Sequence, residues 1–207
     1  MKINFRIISL LVFVFLFLLT FLFTKKSKKP FFHLEEKNLI VDSINKIIIF
    51  PGEVNKNKGE VQFLINLKGY EWLNEKASIL SNIPLTALQN ALAFLDWVLW
   101  ESLYVYKKLT RKISVLIIVN EKEVPVESLI FPKENPVNFL NLIFLGDPYW
   151  DNLILKESYA DCKKCPFLEE EIKFINKSFS QKYLLNTKFF PSDKKIKIKL
   201  ILPDGDK

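Results

Sequence analysis

The chain has 207 residues, a mass of 24.3 kDa, 49% apolar residues and a formal net charge of +7. Six of its basic groups lie within residues 1–30, which contain no acid, so residues 31–207 carry a net charge of only +1. A nucleic-acid-binding domain concentrates its basic excess on the folded part, and this apolar content is too high for a disordered chain. The composition excludes both classes and fits one ordinary domain or two small ones behind a basic leader.

Residues 7–24 form an uninterrupted apolar run, IISLLVFVFLFLLTFLFT, without a charged group. A helix of this length spans about 27 Å, close to the thickness of a bilayer core. A buried core helix would keep a polar face, and a cleaved signal peptide usually ends in small residues, which the following sequence KKSKKP lacks. We therefore predict an uncleaved transmembrane anchor at 7–24, with a short tail at 1–6, a basic juxtamembrane linker at 25–38 and a folded domain at 39–207.

Basic residues on both sides of the predicted anchor leave its orientation open. Lys2 and Arg6 precede the apolar run, and four lysines follow it. Read literally, the positive-inside rule places the domain in the cytoplasm, but long domains behind a first hydrophobic segment are commonly exported, and we expect an extracytoplasmic domain. The four lysines are interpreted as snorkelling interfacial side chains, with attraction to anionic lipid headgroups as the alternative.

Two strand patterns open the domain. Residues 46–50 end at Pro51-Gly52, and residues 61–67 follow after NKNKG, which has the composition of a hairpin loop. We therefore predict that the two strands pair as a hairpin.

A leucine stripe at spacings of three and four predicts one long amphipathic helix behind Pro84, capped by Ser81 or Asn82. The stripe comprises Leu85, Leu88, Leu92, Leu95 and Leu99. Three aromatic residues lie on neighbouring faces: Trp97, Trp100 and Tyr104. We interpret them as core residues of a helix packed on a sheet, with a docking surface for a partner as the alternative.

Residues 113–119 read ISVLIIV, which is typical of a central strand buried on both faces, and residues 120–123 then predict a turn. A linker is expected at 132–136. The remainder predicts two strands, a helix with acids in its first turn, and an edge strand guarded by alternating lysines. These elements are assigned to 140–145, 152–159, 166–179 and 195–202.

The expected fold class is therefore mixed α/β, with the element order ββαβ-ββαβ and helices packed on a mixed sheet. The two runs of elements define possible halves, 39–132 and 137–207.

The only concentrated chemistry is the pair Cys162 and Cys165, in the sequence DCKKCP directly before the acidic helix. A helix N-terminus and two lysines would stabilise a thiolate, and the spacing resembles the redox CxxC of thioredoxin-like proteins. Only about forty residues follow Cys165, too few for the rest of that fold. A structural disulfide or two reduced thiols is the favoured interpretation, and a redox pair is the alternative.

Other kinds of catalytic or ligand-binding site lack the residues that they require. A single histidine, His33, leaves neither a catalytic triad nor a structural zinc site a full set of groups, and no glycine pattern predicts a nucleotide site. No cofactor or metal is expected. The acid at Asp96 is unusual within an apolar helix, and we interpret it as a boundary residue paired with Lys107 or Arg111, with a functional carboxylate as the alternative.

Several segments together resemble the GerMN domain, found in membrane-anchored or lipoprotein-type extracytoplasmic proteins, some linked to sporulation and germination. The similar segments are GEVQFLINL, LTALQNALAFLDWVLW and KISVLIIVNEKEVPVESLIFP, then NLIFLGDPYWDNLILKESY, PFLEEEIKFINKSF and FFPSDKKIKIKLILPDG. The two parts stand in permuted order, Ile65-Asn66-Leu67 replaces the family's Asp-Leu-Ser, and Asn120 replaces its glycine after the last strand. The resemblance implies a non-catalytic module and brings no catalytic residues to this chain.

The expected function is a membrane-anchored, non-catalytic cell-envelope binding or scaffolding module. Its partners would be the lipid bilayer, through residues 7–24, and an envelope protein or cell-wall component, with no nucleic acid. The alternative is a membrane-tethered thiol–disulfide protein that uses Cys162 and Cys165.

Overall fold

The structure, a computed structural model, describes residues 31–32, 38–131, 139–149, 151–152, 169–170, 173, 177, 182–190 and 194–204. The chain divides after Pro30, and all described residues belong to the second unit, Phe31–Lys207. The predicted anchor at 7–24, the linker at 132–136 and most of the predicted strand at 152–159 lie outside the described residues. Within the described part of the chain, no helix is long and apolar enough to cross a membrane.

The described residues contain mainly short strands and a few short helices. The strands are β1 (Phe31–Phe32), β2 (Ile40–Asp42), β3 (Ile47–Val54), β4 (Glu60–Val61), β5 (Phe63–Lys68), β6 (Ala77–Pro84), β7 (Ser114–Val119), β8 (Lys122–Pro125), β9 (Ile130–Phe131), β10 (Tyr183–Leu185) and β11 (Lys195–Ile201). The α-helices are α1 (Leu85–Leu95), α2 (Trp97–Tyr104) and α3 (Phe139–Leu142), and 3₁₀ turns occupy Glu71–Lys76 and Val126–Ser128.

Eight strands form one mixed sheet. Six of them follow the antiparallel order β1-β2-β3-β11-β7-β8, while β6 pairs antiparallel with the end of β3 and β5 pairs parallel with β6. A second, three-stranded sheet has the order β4-β10-β9. The prediction of a mixed α/β fold is confirmed, but the element order departs from ββαβ-ββαβ.

The predicted edge strand, β11, is a central strand. It pairs with β3 along Lys195–Ile201 and with β7 along Lys197–Ile201, so the main sheet combines strands from both predicted halves. Ile196, Ile198 and Leu200 are buried, whereas Lys195 and Lys197 are exposed. Alternating lysines here mark the solvated face of an antiparallel sheet, a pattern that an edge strand shares.

The predicted hairpin between β3 and β5 is wrong. β3 continues through Pro51 and Gly52 to Val54, and β6, not β5, pairs with its end. Along the same side, β2 pairs only with Ile47–Ile49, so Pro51 lies between two neighbours where no N–H is required. A Cβ on Gly52 would lie 2.8 Å from Ile198 Cδ1, so a larger residue there would displace the end of the Ile198 side chain.

The predicted helix begins later than expected and is broken. β6 extends to Pro84, so Ser81 and Asn82 are strand residues, and Pro84 occupies the cap position without a side-chain hydrogen bond. Asp96 ends α1 and begins α2. The leucine stripe nevertheless faces inward on both helices, with Leu88 and Leu99 fully buried.

Two apolar runs adopt different structures from those predicted. β7 lies between β11 and β8 as a central strand, but it is buried on one face only, since Ser114, Leu116 and Ile118 are half-buried. Residues 140–145, predicted as a strand, form part of α3, an isolated bridge from Ile143 to Ile65, and an irregular segment. A short apolar run does not distinguish a buried strand from a buried helix.

Two further predictions agree with the residues described. Asn120 and Glu121 both adopt positive φ, 47° and 65°, in the turn that joins β7 to β8. In the predicted helix at 166–179, the described residues 169, 170, 173 and 177 are helical and exposed.

If β11 is the centre of the sheet, shortening one of its buried side chains should destabilise the whole domain. Ile198 is fully buried opposite Phe50 and Ile117. Ile198→Ala should lower the free energy of unfolding by about 2–5 kcal/mol, measured by urea denaturation of the detergent-solubilised chain with tryptophan fluorescence. The exposed Lys195→Ala on the same strand should change it by less than about 0.5 kcal/mol, and equal losses for both variants would contradict the central position.

Candidate functional site

Asp96 makes the corner between α1 and α2. Its extended backbone, with φ −158° and ψ 91°, interrupts the helix, and its Oδ1 accepts a hydrogen bond from Leu99 N at 3.0 Å. Its Oδ2 lies 2.6 Å from Arg111 Nη2. Asp96 is therefore a helix cap and an ion-pair partner, which confirms its interpretation as a boundary residue paired with Arg111.

The three aromatic residues singled out from the sequence form one continuous row along α2. The ring centroids of Trp97 and Trp100 are 4.7 Å apart, and those of Trp100 and Tyr104 are 5.3 Å apart with an interplanar angle of 21°. Residues three and four positions apart share a helix face, so the spacing of the sequence produces the row. Lys107 Nζ extends it, 5.3 Å from the centroid of the Tyr104 ring.

One end of this row is open to solvent. Trp97 is 59% exposed, and its neighbours Phe94 and Val98 are 53% and 67% exposed. We call these three residues the α1–α2 face. The interpretation of Trp97 as a core residue is wrong, whereas Trp100 is partly buried and packs against the core. Because Leu99 and Leu103 fill the inner side of α2, Trp97 is turned outward at the corner.

Asp151 holds the inner end of the row in place, and the sequence offered no signal for it. Its carboxylate accepts a hydrogen bond from Tyr104 Oη at 2.6 Å and another from Tyr70 Oη. Gln89 Nε2 lies 3.4 Å from the same carboxylate and 2.7 Å from Leu145 O. The partners come from three distant parts of the chain, so no local spacing predicts the cluster. Asp151 thus links α1, α2 and Tyr70, which directly precedes the 3₁₀ turn at Glu71–Lys76.

Lys107 fastens the irregular segment after α3 to the end of α2. Its Nζ donates to Gly146 O at 2.6 Å and lies 3.7 Å from Asp147 Oδ2. Burial lowers the pKa of Lys107, and the negative charges of Asp147 and Asp151 oppose this shift. Gly146 has a φ of +84°, and a Cβ there would lie 2.6 Å from Asp151 Oδ2, so both the backbone and the space require glycine.

The same environment keeps Tyr104 protonated. Burial raises its pKa, and the hydrogen bond to Asp151 and the charges of Asp151 and Asp147 raise it further. A neutral tyrosine that donates to a carboxylate is a fixed structural contact. The polar cluster therefore positions the aromatic row, because its groups are bonded to one another.

The remaining predicted site residues, Cys162 and Cys165, lie outside the described residues. Among the residues that are described, no group of three His, Cys, Asp or Glu side chains is placed to hold a metal ion.

Comparisons of the chain with protein-family models, with curated proteins and with solved structures found no match.

Removing the Asp96 carboxylate should loosen the corner in two separable ways. Asp96→Ala deletes both the cap and the ion pair and should lower the free energy of unfolding by about 1–2 kcal/mol. Asp96→Asn keeps a good capping group and should cost less. Urea denaturation of both variants, each with and without Arg111→Met, measures the two contributions, and equal losses for Ala and Asn would show that the cap contributes nothing.

The raised pKa of Tyr104 predicts a pH dependence of stability. The folded protein keeps this proton at a pH where the unfolded chain, with a tyrosine pKa near 10, has lost it. The free energy of unfolding should therefore fall as pH rises above about 10, and Tyr104→Phe should make that fall less steep. Denaturation at a series of pH values between about 8 and 11 measures the difference. Lys107→Met serves as a control of opposite sign. Because the pKa of Lys107 is lowered in the folded protein, its titration raises the free energy of unfolding as pH rises towards the ordinary lysine pKa. Its removal should therefore make the fall steeper.

Proposed function

We propose that this chain is a membrane-anchored, non-catalytic binding module of the cell envelope that docks through the α1–α2 face. The observation that carries the proposal is the exposure of Phe94, Trp97 and Val98 side by side at the corner of two helices. Large apolar side chains grouped in this way typically mark an interaction site. Tryptophan is also among the residues most enriched where binding energy is concentrated.

The surroundings of the α1–α2 face support binding rather than catalysis. Three titratable groups at the inner end of the aromatic row, Tyr104, Lys107 and Asp151, are each bonded to another protein group. At the helix break, Asp96 and Arg111 are paired with each other. These contacts rigidify the row, and a rigid apolar surface loses little conformational freedom when a partner binds.

Membrane anchoring and the GerMN resemblance belong to the same proposal. The anchor stands on the uncharged run at 7–24. We base the resemblance on the first group of segments, because most of NLIFLGDPYW, in the second group, lies in α3 and the segment that follows it.

A photo-crosslinking amino acid at position 98 tests the docking surface in the full chain. Introduced in place of Val98 and activated in native membranes, it should form adducts with an envelope component. The matched control is position 184 on β10, where Leu184 is 51% exposed but distant in sequence from the corner. Adduct yields at position 98 no greater than at position 184 would refute docking through this face.

The anchor is tested separately by washing membranes at alkaline pH. The full chain should stay in the membrane pellet and a chain lacking residues 1–30 should be released. Release of the full chain would show that residues 7–24 do not anchor it.

A further inference from the structure

We infer that the partner of the α1–α2 face is the lipid bilayer surface itself, so that the domain lies against the membrane that anchors it. This inference rests on the proposed function and names the partner of the same site. Three observations lead to it: the chemistry of the exposed side chains, the charge that follows them, and the length of the tether.

The exposed side chains are apolar, with few groups able to form specific hydrogen bonds. Phe94 and Val98 have no polar atom, and Trp97 has a single donor. Directly after the end of α2, Val105 and Tyr106 are 45% and 67% exposed. A sugar-binding surface would need polar groups that converge on the ligand, but Tyr104 and Asp151 are bonded to each other. Tryptophan and tyrosine beside aliphatic side chains are instead typical of the membrane interface.

Positive charge follows this apolar surface directly. Lys108 and Lys112 are exposed in the segment after α2, while the nearby Lys107 and Arg111 have acidic partners. The one acid of α2, Glu101, is half-buried. An apolar helix face followed in the chain by exposed lysines combines the two attractions of an amphipathic interfacial helix: insertion among acyl chains and contact with anionic headgroups.

The segment between the proposed anchor and the sheet is short in sequence. β1 begins at Phe31 and is paired with β2, so the sheet starts only seven residues after Thr24, the end of the proposed anchor. Seven extended residues reach at most about 25 Å. At that distance the effective concentration of membrane surface is high, and a small apolar face is sufficient for docking.

Tryptophan quenching by brominated lipids tests this inference in the full chain. All four tryptophans lie after residue 30, at positions 72, 97, 100 and 150, so quenching reports on the domain and not on the anchor. The chain is reconstituted into vesicles of brominated phosphatidylcholine and phosphatidylglycerol. We expect quenching relative to the same vesicles without bromine, and weaker quenching when phosphatidylglycerol is omitted or salt is raised.

Val98→Glu is the decisive variant, because it places a charge on the docking face without harming the helix. Position 98 is the second residue of α2, where a glutamate complements the helix dipole. The variant should lose most of the quenching while its unfolding midpoint stays at the wild-type value. Leu184→Glu, at an exposed apolar site on β10, should quench like the wild type.

The outcomes separate this inference from the proposed function. Docking on the bilayer is overturned if the wild type is not quenched, or if the wild type and Val98→Glu are quenched equally. The role of Lys108 and Lys112 is overturned if quenching is the same without phosphatidylglycerol. If quenching is absent but position 98 still forms adducts with an envelope protein or a second copy, the proposed function stands with a different partner. Loss of the full chain from vesicles at alkaline pH instead removes the anchor on which both proposals depend.

Discussion

The pairing of β11 between β3 and β7 is the constraint on which the rest of the domain depends. β11 lies at residues Lys195–Ile201, and the other strands of the same sheet all come much earlier in the sequence. Its buried residues Ile196, Ile198 and Leu200 complete the inner face, and Ile196 and Ile198 pack closely over Gly52 of β3. Until that pairing forms, β3 and β7 have no contact through the sheet, because each has β11 as its neighbour. Such non-local pairing makes folding slow and makes the C-terminal strand essential.

The packing of α1 and α2 on this sheet produces the exposed aromatic surface. The inner side of α1 and α2 is occupied by leucines that fill the core, so their other side must face outward. Asp96 breaks the helix and redirects it, and Asp151 and Lys107 hold the far end of the aromatic row by hydrogen bonds. The row is therefore rigid at both ends. Its exposure at Trp97 follows from a change in helix direction that the stripe of leucines alone does not reveal.

Rigidity at this corner has a functional meaning. Exposed phenylalanine, tryptophan and valine lower solubility unless they are covered, and here the polar groups around them are used to brace the surface instead of screening it. We propose that a bilayer is the cover for this surface, because exposed lysines follow it in the chain. In that proposal the lysines attract the domain to anionic headgroups and the apolar corner inserts among the acyl chains.

The sequence by itself determined the elements whose signal is local. The mixed α/β class, strands β3, β5, β7 and β11, the helical leucine stripe, the turn at Asn120-Glu121 and the boundary role of Asp96 were all readable, because side-chain alternation, helical spacing and capping chemistry act over a few residues. Tertiary structure alone decided which strands became neighbours. It placed the lysine-lined β11 at the centre instead of the edge, paired β6 rather than β5 with β3, and coiled residues 140–145 into α3 and a loop. It also brought Tyr70, Gln89 and Tyr104 to Asp151, since contacts between residues far apart in the chain depend on the global packing that buries them.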